Sequence, residues 1–405
     1  MPKPETSKQG QFQWSGKLQN ECCTTAGTGA SASGAAFKYL DVGNIQFAAD
    51  ALVDAGFTVV DQSADCVADS TSNTANAAGK YGCNIGSAAS ATMGRWYPSH
   101  YSFVGTLTPA CGGPGGMTYM DQDALGVALT LRAHASTGAA ASVSDPVVSR
   151  YTTGYANLAP VTISGDNGGT PVAVTRLGSP AFPAMPSTAS WSAGLFQINN
   201  TFAFSKLGAP DGAYDLFKLK AALADPDGST LIGLPAAQET NTTKIRYGRV
   251  QLQNAYGSEY LALPVPLTLQ YWNGNWQKNT LDTCTSLQAT QFAWSSPAGS
   301  ATRPNNLAVC ESAATVAGAS PNYTVTLSAP GVNNAGWADL SLNLGATAVG
   351  STCTTVNAGT GYSGLASTAN APWLQYNWTG AVGNAKARAT FGVFKSPLIY
   401  RREDY

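Results

Sequence analysis

Residues 246–278, RYGRVQLQNAYGSEYLALPVPLTLQYWNGNWQK, decide the fold class of this chain. Val250 and Leu252 alternate with Arg249 and Gln251, the period of two that marks a strand buried on one face, and residues 254–257 (NAYG) then supply turn chemistry. A second strand follows, with Val265, Leu267, Leu269 and Tyr271 on one face. Pro264 and Pro266 delete two N–H groups that point the same way, so the start of this strand lies on a sheet edge or crosses between sheets. Trp272-Asn273-Gly274-Asn275 carries a hairpin signal, because a type I′ turn needs positive φ at both central residues. In that register Tyr271 faces Trp276.

The rest of the chain repeats this pattern. Leu125, Val127, Leu129 and Leu131 alternate with small or polar residues, as do Phe217, Leu219, Ala221 and Leu223 with Lys218 and Lys220 outward. Turns are expected at residues 165–168 (GDNG), 210–212 (PDG) and 226–228 (PDG). Tyr323, Val325 and Leu327 give one late strand face and Leu340, Leu342 and Leu344 another, and late strands are expected at residues 373–378, 389–394 and 398–401. No capped helix of any length is visible. Many short strands at this spacing predict an all-β chain of tandem antiparallel, immunoglobulin-like β-sandwiches. Three segments are expected: an N-terminal β-rich piece at 1–95, a middle sandwich at 96–240, and a C-terminal sandwich at 241–405 with a loop-rich insert near 281–320. In the first segment, strands are expected at 46–50 and 55–60 rather than a short helix over 48–55.

The composition is that of an exported protein. Charged residues are 11% of the 405, under half the ~25% usual in soluble domains, while glycine and small polar residues abound. A net charge of −1 lacks the basic footprint that binding nucleic acid or an anionic membrane requires. No run approaches the ~18 apolar residues of a transmembrane segment. The opening MPKPETSKQGQ has no apolar h-region, so a signal peptide and further domains are expected upstream of this chain.

Eight cysteines lack the CxxC spacing of zinc or redox sites, and an even count predicts disulfides. Pairing by sequence neighbourhood favours Cys66–Cys83 and Cys284–Cys310, leaving Cys22, Cys23, Cys111 and Cys353 unassigned. Ser-His-Asp chemistry needs a histidine beside a nucleophile. The chain holds only His100 and His134, each read as structural or solvated, and no GxSxG, HExxH or phosphate loop. No catalytic residue is assigned, and the chain is read as no enzyme. Asp211, Asp215, Asp225 and Asp227 fall in two Gly-containing turns, where carboxylates suit calcium but equally make Asx turns without an ion. Trp272, Trp276, Trp373, Tyr376 and Trp378 are read first as rings covering sheet faces and second as a sugar platform. Tyr376 and Trp378 share a face, whereas Trp373 and Tyr376 do not.

GRVQLQNAYGSEYLALPVPLTLQYWNGNW (248–276) followed by NTLDTC (279–284) resembles the C-terminal region of MshQ-like proteins, encoded with the machinery of mannose-sensitive haemagglutinin (MSHA) type IV pili. The resemblance extends in order through GRWYPSHY (94–101), PACGG (109–113), PDGAYD (210–215), ADPDG (224–228), PWLQYNW (372–378) and ARATFG (387–392). Relatives carry more acidic residues after the PWL motif, where this chain has Asn377, Gly380 and Asn384. The resemblance implies an exported, pilus-associated cell-surface protein and supplies no catalytic residues. The expected role is therefore structural or adhesive, with pilus subunits, other surface proteins or surface glycans as partners. The alternative is a secreted carbohydrate-binding or carbohydrate-processing module.

Overall fold

The computed structural model describes residues 12–14, 37–51, 53–54, 65–138, 140–152, 162–178, 191–223, 225–233, 238–301, 303–345, 351–357, 360–361, 371–378 and 380–392. Cys22, Cys23, the strand expected at 55–60 and the end of the chain lie outside them. The described residues are all-β. Their only helical pieces are 3-10 turns at Val174–Arg176, Ala289–Gln291 and Pro372–Leu374, and none of their helices is long and apolar enough to cross a membrane.

Two hydrophobic cores divide the strands. The first lies between a five-stranded sheet, in the order Thr170–Val172, Thr162–Asn167, Tyr214–Ala222, Thr243–Arg246 and Met117–Tyr119, and a four-stranded sheet, Leu195–Phe202, Leu125–His134, His100–Thr108 and Thr230–Gly233. The alternation at Leu125, Val127, Leu129 and Leu131 puts all four inside it, with Phe103 beside them on the same sheet and Phe217 and Leu219 on the facing one. Val42 also packs into this core, and Asp41 accepts hydrogen bonds from Ser149 Oγ and Arg150 N. The second core gathers Val250, Leu269, Val265, Val325, Phe292, Trp294, Leu340, Leu342 and Phe391 from a six-stranded sheet and two three-stranded sheets.

Pro266 is where the chain changes sheets. Leu263–Val265 is the edge of one three-stranded sheet and pairs Asn322–Leu327, whereas Leu267–Trp272 pairs Gly248–Leu252 in another. A proline at that point removes a donor that neither ladder needs. Elsewhere the local register departs from expectation. The hairpin after Trp272 has a three-residue loop, Asn273-Gly274-Asn275, so Trp276 lies opposite Trp272 and Tyr271 opposite Gln277. The tight turn near 165 falls two residues later, with Gly168-Gly169 between Asn167 and Thr170. In the N-terminal segment the strand expected at 46–50 is not formed: the strand Gly43–Ile45 ends before it, and residues 46–51 form neither strand nor helix.

Three disulfides are present among the described residues: Cys66–Cys83, Cys111–Cys284 and Cys310–Cys353. The expected Cys284–Cys310 pair is thus corrected. Cys310 closes onto Cys353, which follows the short Ser351–Thr352 strand. Cys284 turns the other way, toward the first sandwich, because Asp282 Oδ1 accepts from the N–H groups of Cys284 and Thr285 and folds that turn.

The Cys111–Cys284 bond lies at the joint between the sandwiches. Met117–Tyr119 is the edge strand of the first sandwich, yet Cys111, Met117 and Tyr119 are buried in the second core. Covering an edge strand with the next domain removes an exposed template for pairing. Tyr119 Oη donates to Asp282 Oδ2 at 2.8 Å and accepts from Asn279 Nδ2 at 2.7 Å. Burial together with the Asp282 carboxylate pushes the Tyr119 phenol well up. Gly248 sits beneath, where a Cβ would meet the Tyr119 ring at 2.3 Å.

Candidate functional site

The two histidines meet. His100 and His134 are directly opposed on adjacent strands and stack with ring centroids 4.9 Å apart. His134 Nδ1 lies 2.8 Å from the Asp145 carbonyl oxygen, so that nitrogen carries the proton, and Nε2 accepts from Ser102 Oγ at 2.7 Å. His100 Nε2 faces the Ser142 carbonyl at 3.0 Å, and the Asp145 carboxylate accepts from Ser142 N and Thr137 Oγ1. Burial is the main cause that draws the His134 pKa down from its usual value. The order hydroxyl, imidazole, acceptor resembles nucleophilic machinery, but Ser102, His100 and His134 are at most 1% exposed. What this arrangement does is pin the segment that follows His134 back onto the sheet. Sequence reasoning missed it because the two rings are brought together by strand register alone.

The four aspartates do not converge. Asp211 is held by the Arg176 guanidinium at 2.6 Å and by Tyr214 Oη at 2.8 Å, and Arg176 itself lies over the Phe204 ring. Asp215 pairs with buried Arg246, and Asp227 with Arg95. Asp225 Oδ1 accepts the Asp227 N–H in an Asx turn. At Asp211, Asp215 and Asp227 a guanidinium group therefore stands where a calcium reading would put the cation. Among the described residues the one group of ligand atoms within mutual reach is Cys111, Asp282 and Cys284, and both cysteines are spent in the disulfide.

The aromatic residues do converge. Trp272, Trp276, Tyr376 and Trp378 form a chain of edge-to-face contacts, with centroids 5.1–5.4 Å apart, that runs into Tyr247 of the first core. The Arg249 guanidinium lies over Trp276, 3.8 Å from its centroid, with Tyr376 at 5.1 Å and Trp378 at 5.0 Å. Burial lowers its pKa. Arg249 Nε donates to Gln270 Oε1, and Gln270 Nε2 to Gln251 Oε1. Trp373 stands apart, packed on the second core.

Beside this platform, Lys206 from the first sandwich reaches across the joint. Its ammonium donates to the carbonyls of Gly248, Trp373 and Gln375 at 2.7–3.0 Å and lies over Tyr247. Burial draws its pKa down to about 8, partly opposed by Asp121. The three carbonyls satisfy all its donors, and each favours the charged form.

Comparison with known proteins assigns this two-core arrangement to a family. Residues 41–249 match the third domain of DUF6701 and residues 246–404 its fourth domain, so the two matches meet at RYGR, beside the joint. No curated protein matches the chain. Among solved structures, the I9-I11 tandem from titin is similar at 7% identity and a TM-score of 0.22, covering 73% of this chain and 66% of that one. The I-band fragment I67-I69 from titin is similar at 8% identity and a TM-score of 0.24, covering 79% and 72%. The chain belongs to the DUF6701 family and carries its third and fourth domains.

Proposed function

We propose that the protein works outside the cytoplasm as a non-catalytic component of a type IV pilus system, structural or adhesive in role, as its resemblance to MshQ-like MSHA proteins suggests. The observation that supports this reading is the joint. Two sandwiches are fastened to each other by a disulfide, by the buried Tyr119–Asp282–Asn279 cluster and by the fully bonded Lys206 ammonium. Such a unit holds its loops and faces in fixed positions, which suits contact with a partner more than turnover. Disulfides of this kind persist in oxidising compartments. Perturbed titratable groups are the usual mark of chemistry, and here His134 and Lys206 are each consumed by internal bonds.

The test is deletion of the gene, followed by counting of surface pili and measurement of attachment to a solid surface. Loss of either is expected, and restoration by the full gene should follow. Normal piliation together with normal attachment would overturn the reading. So would hydrolysis of a glycan or peptide by the purified chain at a rate abolished by changing one carboxylate such as Glu259.

A further inference from the structure

The three-stranded sheet Gly248–Leu252, Leu267–Trp272 and Trp276–Lys278 has a face that the second core does not use and whose Trp272 and Trp276 pack against the first core. Its register puts Arg249 opposite Gln270, Gln270 opposite Lys278, Gln251 opposite Thr268 and Trp272 opposite Trp276. All seven side chains therefore share one side. The Asn275 loop residue that shifts Trp276 by one position is what brings it there, under Arg249.

Arg249 differs from four other arginines of the chain. Arg95, Arg176, Arg246 and Arg388 each grip a carboxylate. Among the described residues, neither Arg249 nor Lys278 forms an ion pair. The bond from Arg249 Nε to Gln270 fixes the plane of the guanidinium against Trp276, and its two terminal nitrogens have no protein acceptor among the described residues. A pre-oriented fork of this kind matches a carboxylate in bidentate geometry. Around it stand Trp378, 39% exposed, the Gln251 amide and the exposed Lys278 ammonium, which donates to Asn322 Oδ1. An indole offers a flat apolar surface to the C–H side of a sugar ring, while amide and ammonium suit its hydroxyls.

We propose that this face binds an acidic saccharide, its carboxylate on the Arg249 fork and its ring against Trp378. The inference rests on the adhesive reading above and names the chemistry of the contact.

The full chain would be titrated with three pairs of probes in buffer of physiological salt: polygalacturonate and its methyl ester, alginate and its propylene glycol ester, and sialyllactose and lactose. At least one acidic member should bind about tenfold or more tighter than its neutral partner. Arg249→Gln should weaken that acidic ligand about tenfold, the factor that ~1.4 kcal/mol corresponds to, and leave the neutral partner unchanged. Trp378→Ala should weaken both members. Circular dichroism confirms that each variant folds, and Lys278→Gln serves if Arg249→Gln does not. Equal affinity within every pair, or no saccharide bound at millimolar concentration, overturns the proposal. Binding of poly-L-glutamate as tight as that of the best saccharide overturns the sugar assignment. The outcomes separate from those of the gene deletion: a deletion that abolishes attachment, with Arg249→Gln cells attaching normally to acidic-glycan surfaces, sinks this inference alone. A deletion without phenotype sinks the adhesive reading whatever the titrations show.

Discussion

His134 is neutral because it is buried, and that choice of protonation state has a price in acid. Its folded pKa lies below the ordinary value near ~6.5, so as pH falls through that range the unfolded chain takes up a proton that the folded chain refuses. The stability owed to this residue is therefore complete above about pH 6.5 and is lost as pH falls toward the folded value, with a slope of at most ~1.4 kcal/mol per pH unit. Urea midpoints of the parent chain should fall between pH 7.5 and 5.5, while His134→Gln, less stable at the upper end by ~1–3 kcal/mol for its lost bonds, should show a flatter slope. Parallel slopes would assign the acid sensitivity elsewhere. None of this was legible in the sequence, where His100 and His134 are separated by a long connection whose length fixes no register. The aspartates were hidden for a similar reason: Asp227 meets Arg95, and Asp211 meets Arg176, across distances in sequence that no local pattern reports.

Strand identity was far more legible than strand register. Period-two runs found Leu125–His134, Tyr214–Ala222 and Gly248–Leu252, and paired prolines found the sheet change at Pro266. Loop length was the weak point, because Asn-Gly followed by Asn supports a loop of two residues or three with equal local chemistry. The difference of one residue inverts a side chain across the sheet, and it moves Trp276 from partnership with Tyr271 to the face that carries Arg249. Gly274 makes the longer loop possible: its φ is +75° and no atom lies within 4 Å of the Cβ it lacks. Gly274→Val should therefore cost ~1 kcal/mol or more from backbone strain alone, while Gly274→Asn, which tolerates the left-handed region, should cost less. Urea denaturation of the two variants checks the order, and equal losses would show that the loop does not depend on that conformation.

For the whole molecule, the motifs that carried the family resemblance prove to be halves of contacts. PACGG and NTLDTC share the Cys111–Cys284 bond, GRWYPSHY and ADPDG share Arg95–Asp227, PDGAYD gives Asp215 to Arg246 just ahead of the GRVQLQ stretch, and PWLQYNW supplies two of the carbonyls that hold Lys206. The sequence displayed the pieces, and only the fold shows which piece answers which. Cys111–Cys284 closes a separation of 173 residues and Cys66–Cys83 one of 17. The chain-entropy model assigns ~5 kcal/mol to the first and ~3 kcal/mol to the second. Removing the first pair by alanine should accordingly lower the thermal midpoint more than removing the second, and the reverse order would show that the joint does not depend on its disulfide. Tension gives this bond another meaning. A pull on the two ends of the chain passes from Cys111 straight to Cys284, so the residues between them are spliced out of the line of force and cannot be drawn out. At ~3.4 Å per extended residue, about 600 Å of slack is withheld by one covalent link, and a tether built this way stretches only through the segments that precede Cys111 and follow Cys284.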